Sequence, residues 1–298
     1  MACPALRELV VRGRDEVAGV VTQPERPSGR RLELTACPVQ ELAQSLELPV
    51  LKPETIADPA VLQQLAGFQP DVAIVADYGQ FLPAVLLSVP SKGTLNIHPS
   101  LLPKYRGAAP VQWAVARGEV ATGVTILYVT EKMDAGGILA QEQVPIREDD
   151  TAASLTPLLA QLGASLLLRV LDEIREGRAT ARPQDESQVT MAPRLKKEDG
   201  RLDWTLSAVA LRNRIRGFTP WPGCFTEWGG KRLRLHRVRV EAVASEPGVV
   251  LEVGESGPLV ACGEGSLRWV EVQPEGGRAM DGAAFARGHH LKPGDRMG

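Results

Sequence analysis

The sequence predicts an α/β fold with a Rossmann-like, doubly wound and mostly parallel sheet, followed by a small β domain. Up to residue 177, apolar strand-like runs alternate with helix-like segments, the pattern of a sheet covered by helices on both faces. Residues 178–203 are polar and lack periodicity, so we expect a linker there. From residue 204 to residue 298 the strand-like runs are short and are separated by glycine and proline, which favours a small OB-like barrel.

Within residues 1–177 the elements follow from apolar spacing and from the residues at their ends. We predict helices over residues 4–10, 38–48, 58–68, 83–89, 108–117 and 151–176, and strands over residues 17–22, 49–51, 71–76, 93–97 and 123–130. Asp58 is suited to cap the third helix because Pro59 follows at the first helical position. Residues 71–76 form a continuous apolar run, as expected of a strand buried on both faces.

Beyond the linker, the second domain is predicted to contain one helix and a series of short strands. The helix covers residues 206–218, and the strands cover residues 224–228, 232–241, 248–253, 258–261 and 267–272. Pro183 and Pro193 interrupt the linker itself, which is consistent with a segment that has no regular structure.

Composition places the chain among globular proteins and excludes several classes. Hydrophobic residues make up 44% of the 298 positions and charged residues 23%, which is enough apolar material for a core. The sequence contains no run of eighteen apolar residues that would predict a membrane span, and its first twenty residues do not form a secretory signal. We therefore expect a cytoplasmic protein. No glycine-rich phosphate-binding motif supports a nucleotide cofactor. The four cysteines are scattered without a CxxC pair, which favours reduced thiols over disulfides and predicts no metal site.

The formal charge of −2 conceals an uneven distribution. Residues 194–240 contain twelve Lys and Arg against four Asp and Glu, so this segment is near +8 and the remainder near −10. A basic block of this kind is either a solvated face or a surface for a polyanion such as RNA.

Three polar side chains follow predicted strands and form a candidate catalytic set. Asn96 and His98 lie two positions apart at the end of one strand, so they point to the same side. Asp134 lies beyond the end of another strand, and the carboxyl ends of strands in open α/β sheets are where ligands bind. An amide, an imidazole and a carboxylate together suit acyl or formyl transfer to an amine. Spacing alone also allows a structural histidine and an ordinary turn aspartate.

Four stretches carry a resemblance to a known family. Residues 96–110, NIHPSLLPKYRGAAP, resemble the folate-binding signature of formyltetrahydrofolate-dependent formyltransferases, and residues 129–139, VTEKMDAGGIL, resemble their second signature. Residues 22–30, TQPERPSGR, and residues 218–223, FTPWPG, resemble the branch that acts on methionine carried by initiator tRNA. The likeness extends from the first residues to Gly298.

The resemblance implies an activity and a role for each candidate catalytic residue. The donor would be 10-formyltetrahydrofolate, without a metal, and the acceptor the α-amine of methionyl-initiator tRNA, used to start translation. Asn96 would donate a hydrogen bond to the oxygen of the tetrahedral intermediate, His98 would help to move the proton, and Asp134 would orient the imidazole. No covalent enzyme intermediate is needed, because an α-amine with a pKa near 8 is already nucleophilic. We expect a monomer.

The resemblance also implies two sets of binding residues. The folate pocket would be lined by Ser100, Leu101, Leu102, Pro103, Tyr78, Gly79, Gln80 and Phe81. The tRNA would be bound by Arg26, Arg30 and Arg31 in an N-terminal loop and by Lys196, Lys197, Arg234 and Arg237 farther along. Leu32 and Glu33 stand where many relatives carry a lysine pair, which weakens the positive charge of the loop.

Relatives begin with a buried strand and a Gly-Thr-Pro loop before the segment that matches residues 2–6. The printed sequence has neither, so we expect the natural start to lie upstream, which an intact mass of the native protein would test. Three alternative functions stay open: a formyltetrahydrofolate hydrolase, a formyltransferase acting on a small amine, and a catalytically impaired RNA-binding relative.

Overall fold

The computed structural model describes residues 1–28 and 33–298, which form two compact units. The first unit consists of residues 1–107, 122–144 and 156–191, and the second of residues 108–121, 145–155 and 192–298. Residues 108–121 and 145–155 belong by their contacts to the second unit. The domain boundaries at residues 177 and 203 stay a prediction.

The first unit contains short strands and helices in alternation. Its helices are α1 (Ala2–Arg12), α2 (Pro38–Ser45), α3 (Pro59–Gly67), α4 (Ala84–Leu87) and most of α6 (Ala152–Arg175), while α5 (Pro110–Ala116) belongs to the second unit. Its strands are β1 (Val20–Val21), β2 (Arg26–Ser28), β3 (Glu33–Thr35), β4 (Val50–Leu51), β5 (Ala73–Val75), β6 (Thr94–His98), β7 (Ala121–Tyr128) and β8 (Ile138–Pro145). The predicted cap of α3 is confirmed, since the Asp58 side chain accepts a hydrogen bond from the backbone N–H of Ala60.

The strands confirm the α/β class, and within the described part of the first unit they are grouped in three separate sheets. Strands β5, β6, β7 and β8 form a four-stranded sheet in that order, with β5 and β6 parallel and β6 and β7 antiparallel. Strands β1 and β4 form a separate parallel pair, and β2 and β3 a separate antiparallel pair. The sequence predicted a doubly wound, mostly parallel sheet: the pairs β1–β4 and β5–β6 are parallel as predicted, whereas β6–β7 is antiparallel. Alternation of helix and strand indicates layers, but it does not determine which strands pair or in which direction.

Helix α6 covers one face of strand β6 and leaves the other face for the site. Leu159, Gly163 and Leu167 recur every four residues and so lie on one stripe of the helix. A Cβ atom at Gly163 would lie 2.7 Å from Ile97 Cγ2, so glycine allows this close approach. Because side chains alternate along a strand, Asn96 and His98 point away from the face that carries Ile97.

By length and composition α6 alone, among the described residues, would suffice to cross a membrane, and half of its apolar window is buried inside the protein. A core helix of a globular protein has the same character. Arg12 of α1 donates a hydrogen bond to the Leu168 carbonyl at 3.2 Å and pairs with Asp172, which attaches α1 to α6.

The second unit contains a six-stranded antiparallel sheet with three helices. The sheet follows the order β11 (Val250–Gly254), β12 (Gly257–Ala261), β13 (Ser266–Pro274), β10 (Lys231–Glu241) and β9 (Cys224–Trp228), and β14 (Met280–Asp281) pairs with β13. Helices α5, α7 (Ala208–Gly217) and α8 (Gly282–Gly288) complete the unit. Trp269, Phe218 and Phe285 lie fully buried in its core. The predicted small β domain is confirmed, whereas α8 and β14 were not predicted.

Candidate active site

The structure brings Asn96, His98 and Asp134 together within the first unit. The Asn96 Nδ2 group donates a hydrogen bond to Asp134 Oδ1 at 3.2 Å. His98 Nδ1 lies 3.7 Å from Asp134 Oδ2. Only 5% of the His98 side chain and 14% of the Asp134 side chain are exposed, so the carboxylate has little water around it. The amide and the imidazole therefore meet at the Asp134 carboxylate.

His98 is oriented by a contact that the sequence did not suggest. Its Nε2 atom lies 2.9 Å from the backbone carbonyl oxygen of Tyr105. A carbonyl oxygen can only accept, so Nε2 carries a hydrogen and donates it. This contact fixes the tautomer of the neutral ring, so Nδ1, on the Asp134 side, is the nitrogen that can accept a proton and release it again.

Asp134 sits in a tight turn with an unusual backbone conformation. Its φ of 49° lies in the left-handed region, which costs a non-glycine residue about 1–2 kcal/mol. The backbone N–H of Gly107 donates to Asp134 Oδ2 at 2.9 Å, so a second segment of the chain holds the carboxylate. At Gly136 a Cβ atom would lie 1.8 Å from the Tyr128 carbonyl oxygen, so this turn requires glycine.

Gln184 binds the backbone of this turn and is itself bound by Arg106; the sequence analysis predicted neither role. Gln184 Nε2 donates to the carbonyl oxygens of Asp134 at 2.7 Å and of Gly136 at 2.9 Å. Gln184 Oε1 accepts hydrogen bonds from two guanidinium nitrogens of Arg106, Nε at 3.1 Å and Nη2 at 2.8 Å. Arg106 is only 6% exposed and also binds Glu186 at 2.7 Å, which holds the pKa of that carboxyl below its usual range.

The sequence contains almost no signal for the roles of Gln184 and Arg106. Gln184 lies in the segment 178–203 that was predicted to be a linker, and fifty positions separate it from Asp134. A polar residue in an aperiodic stretch gives no signal of such a contact. Arg106 lies inside the motif of residues 96–110, and its place in that motif was the available signal.

The residues predicted to line a folate pocket occupy two different environments. Ser100 and Leu102 are buried: Ser100 Oγ donates to the Lys104 carbonyl at 2.7 Å, and Leu102 packs with Leu127 and Ile138. Leu101 and Pro103 are half-buried, and the bond between Leu102 and Pro103 is cis.

The second predicted folate segment, residues 78–81, lies at the surface of the first unit. The Tyr78 hydroxyl is buried without a hydrogen-bond partner among the described residues, and burial raises the pKa of this phenol. Gln80 bonds to the backbone of Ile56 and Glu54, while Gly79 is exposed and Phe81 is 73% exposed.

A cavity of about 610 Å³ opens beside the turn that carries Asp134. Its walls are formed by α4 and by the residues just before Asp134, namely Ala84, Leu87, Ser88, Thr130, Glu131 and Lys132. The eight residues predicted to bind folate are not among them.

The residues predicted to bind tRNA are placed unevenly. Arg30 and Arg31 lie outside the described residues, and of Arg26 only the backbone, in β2, is described. Lys196 and Lys197 are exposed at the start of a single-turn helix. Arg234 and Lys197 line one cavity of the second unit, and Arg237 lies 4.0 Å from Glu271.

Within residues 1–28 and 33–298, no group of three or more His, Cys, Asp or Glu side chains is arranged to hold a metal ion. All four cysteines are free thiols. Cys224 and Cys262 are buried, and burial raises the pKa of each thiol to about 12.

Comparison with known proteins identifies the family. Residues 5–171 match the family described as formyl transferase, and residues 194–290 match the formyl transferase C-terminal domain. The chain therefore belongs to the formyl transferase family. One relative, the methionyl-tRNA formyltransferase of Geobacter sulfurreducens, is 45% identical over 297 residues, which cover 100% of this chain and 93% of the relative.

Two solved structures share the fold. An N-formyltransferase from Helicobacter canadensis, in complex with folinic acid and dTDP-3-aminofucose, is 14% identical with a TM-score of 0.64 and covers 89% of this chain and 94% of its own. HypX from Aquifex aeolicus, in complex with tetrahydrofolic acid, is 23% identical with a TM-score of 0.60; the match covers 92% of this chain and 47% of HypX.

Proposed function

We propose that this chain transfers the formyl group of 10-formyltetrahydrofolate to the α-amine of methionyl-initiator tRNA in the cytoplasm, for translation initiation. The observation that carries the proposal is the convergence of Asn96 and His98 on the Asp134 carboxylate, at 3.2 Å and 3.7 Å. The relative from Geobacter sulfurreducens supports this choice of acceptor, because its likeness extends over the whole chain.

Asn96 stabilises the oxygen of the formyl group as the amine adds to the carbon. An amide nitrogen carries two hydrogens, so donation of one to Asp134 fixes the orientation of the amide and leaves the other for the formyl oxygen. A donor that is already oriented does not have to reorganise during the reaction. In comparable sites one such hydrogen bond is worth roughly 3–4 kcal/mol.

His98 and Asp134 manage the proton that the attacking nitrogen must lose. With Nε2–H committed to the Tyr105 carbonyl, Nδ1 receives and returns the proton beside the Asp134 carboxylate. As the bond between the formyl carbon and the donor nitrogen breaks, the same proton is delivered to the leaving nitrogen.

Several features of the first unit fit a folate as formyl donor. The buried Tyr78 hydroxyl lacks a partner among the described residues, and a buried polar group of this kind favours a polar ligand. The strand that carries Asn96 and His98 ends at His98, and one residue farther on the chain continues with Ser100, Leu101, Leu102 and Pro103. The two solved structures that share the fold are complexes with tetrahydrofolic acid and with folinic acid, which supports the same cosubstrate class.

The acceptor is held chiefly by phosphate contacts. Lys196, Lys197, Arg234 and Arg237 supply exposed positive charge in the second unit. Arg26, Arg30 and Arg31, in the N-terminal part of the sequence, contribute further positive charge to tRNA binding. Binding that depends on phosphates weakens steeply with salt because counterions are released. We propose that the chain acts as a monomer.

A formyltetrahydrofolate hydrolase would use the same three side chains with water as the nucleophile. A small-amine formyltransferase would use them as well, and an impaired RNA-binding relative would use none of them. The basic block of residues 194–240 has no part in the first two activities, whereas it suits a tRNA acceptor.

The test is formyl transfer from 10-formyltetrahydrofolate to methionyl-tRNA by the purified chain, with formate release in the absence of an acceptor measured in parallel. We expect transfer to exceed hydrolysis. Asn96→Ala should lower kcat by about 10²–10³-fold without changing the Kd for tRNA. The surface variant Gln44→Ala, which also removes an amide, is the matched control. Rapid formate release without transfer would favour the hydrolase, and unchanged kcat in Asn96→Ala would contradict the site.

A further inference from the structure

We infer that a small cavity in the second unit binds one unpaired RNA nucleotide, with its base stacked on Trp221 and its phosphate held by basic side chains. The inference rests on the proposed function, since a tRNA acceptor carries unpaired nucleotides at its 3′ end and in its loops. It adds a binding subsite that recognises a single nucleotide, in contrast to general charge attraction.

The cavity arises from the alternation of side chains along β10. Leu233 and Leu235 are 2% exposed and face the core, so Arg232 and Arg234 project from the opposite face of the strand. Phe225 of β9 lies directly opposite Arg234 in the antiparallel register. Two guanidinium groups and an aromatic ring are thereby brought to one surface.

Two flat groups at this cavity can stack against a base. Trp221 is 50% exposed although it is large and apolar. The Arg232 guanidinium lies over the Phe225 ring with its central carbon 4.6 Å from the ring centroid, so the ring holds the guanidinium plane in place. Unpaired bases stack on aromatic rings and on arginine planes in RNA-binding proteins.

The charge of the cavity suits a phosphate. Its lining includes the cations Lys197, Arg232 and Arg234 and one carboxylate, Glu275. Arg234 is anchored through its NH2 group to the Pro222 carbonyl at 3.1 Å. The Glu275 carboxylate accepts the backbone N–H of Arg232 at 3.1 Å. Three positive charges against one negative charge leave an excess that favours an anion.

The size of the cavity and its chemistry together favour a nucleotide. Its volume is about 330 Å³, at the small end of the range for small-ligand sites. A paired base within a duplex does not expose its face for stacking, so the occupant must be unpaired. A peptide with a phosphate would satisfy the cations but would leave the exposed Trp221 ring without a partner.

The first experiment measures quenching of tryptophan fluorescence in the full chain. Base stacking on Trp221 should quench part of the emission when a short single-stranded oligoribonucleotide is added, whereas a blunt RNA duplex of equal charge should not. The quenching should be lost in Trp221→Phe, which keeps a ring for stacking but has no indole. Quenching that persists in Trp221→Phe, or equal quenching by the duplex, would overturn the inference. Free AMP that quenches while the oligoribonucleotide does not would identify a mononucleotide site and would also overturn it.

The second experiment compares the Kd for methionyl-tRNA between matched variants. Loss of one stacking contact in Trp221→Ala should raise the Kd by about 5- to 150-fold, whereas Val243→Ala, at another exposed apolar side chain of the unit, should not. Arg232→Gln and Arg278→Gln each remove one positive charge, but only Arg232→Gln should reduce quenching. If the unsubstituted chain transfers formyl groups and Trp221→Ala leaves the Kd unchanged, the subsite is wrong and the proposed function stands. Absence of transfer by the unsubstituted chain would contradict the proposed function instead.

Discussion

Replacing Gln184 by leucine should slow catalysis although Gln184 touches none of the proposed reacting atoms. The side chain holds the turn that presents Asp134, donating to the Asp134 and Gly136 carbonyls and accepting from buried Arg106. Leucine has a similar size and no polar atoms, so it removes these hydrogen bonds while keeping the volume filled. The Asp134 backbone, with a φ of 49°, would then be free to leave the left-handed region.

The magnitude follows from the bonds that are lost. Two hydrogen bonds between neutral groups contribute about 0.5–1.5 kcal/mol each, so the turn loses about 1–3 kcal/mol of support. Since a factor of ten in rate corresponds to about 1.4 kcal/mol, kcat should fall by about 5- to 150-fold. The free energy of unfolding should also decrease, because Arg106 loses an acceptor in a buried position.

The assay is steady-state formyl transfer at a temperature where circular dichroism shows the variant to be folded. We expect a lower kcat with nearly unchanged KM values for folate and tRNA, because the binding surfaces are not altered. Gln188→Leu is the matched control: it makes the same change four positions away, at an exposed glutamine that donates to the Asp185 carboxylate. A folded Gln184→Leu variant with the kcat of the unsubstituted chain would refute a positioning role.

Two further predictions concern the same turn and the buried thiols. Gly136→Ala should lower the free energy of unfolding by about 1–3 kcal/mol and reduce kcat, because the new Cβ atom would lie 1.8 Å from the Tyr128 carbonyl oxygen. A thermal melt measures the change in stability. Gly67→Ala is the control, since a Cβ atom there would have no atom within 4 Å. Burial raises the pKa of Cys224 to about 12, so this thiol should resist alkylation at pH 7–9. The half-buried Cys37 should be labelled under the same conditions, because its sulfur is more accessible. Peptide mass spectrometry would show this, and equal labelling of the two in the folded protein would contradict it.

The elements that could be predicted from sequence are those with a strong local signal. Helix α3 has Asp58 as its cap and Pro59 at its first position, and β9 begins and ends at the predicted residues. Strand β1 has two residues, whereas six were predicted. An apolar run indicates a buried strand, but it does not determine how many of its residues pair with a neighbouring strand. Helix α8 was missed, since its small residues give weak periodicity.

In the candidate site, too, only the features with a local signal could be predicted from the sequence. Asn96 and His98 could be placed on one side of a strand because a period of two is a property of the backbone. The Tyr105 carbonyl that orients His98 could not be predicted, since the contact depends on the exact path of a loop. Contacts between a side chain and a distant backbone carbonyl leave no pattern in the sequence.

The position of Gln184 has a consequence for protein engineering. The segment 178–203 contributes to the first unit as far as Met191 and to the second from Ala192 onward. A chimaera that exchanges the C-terminal part with that of a relative should therefore be joined after Met191. A junction near residue 177 would replace residues 178–191, including Gln184, by the sequence of the relative. Activities of such hybrids would then reflect the support of the Asp134 turn as well as the preference for tRNA.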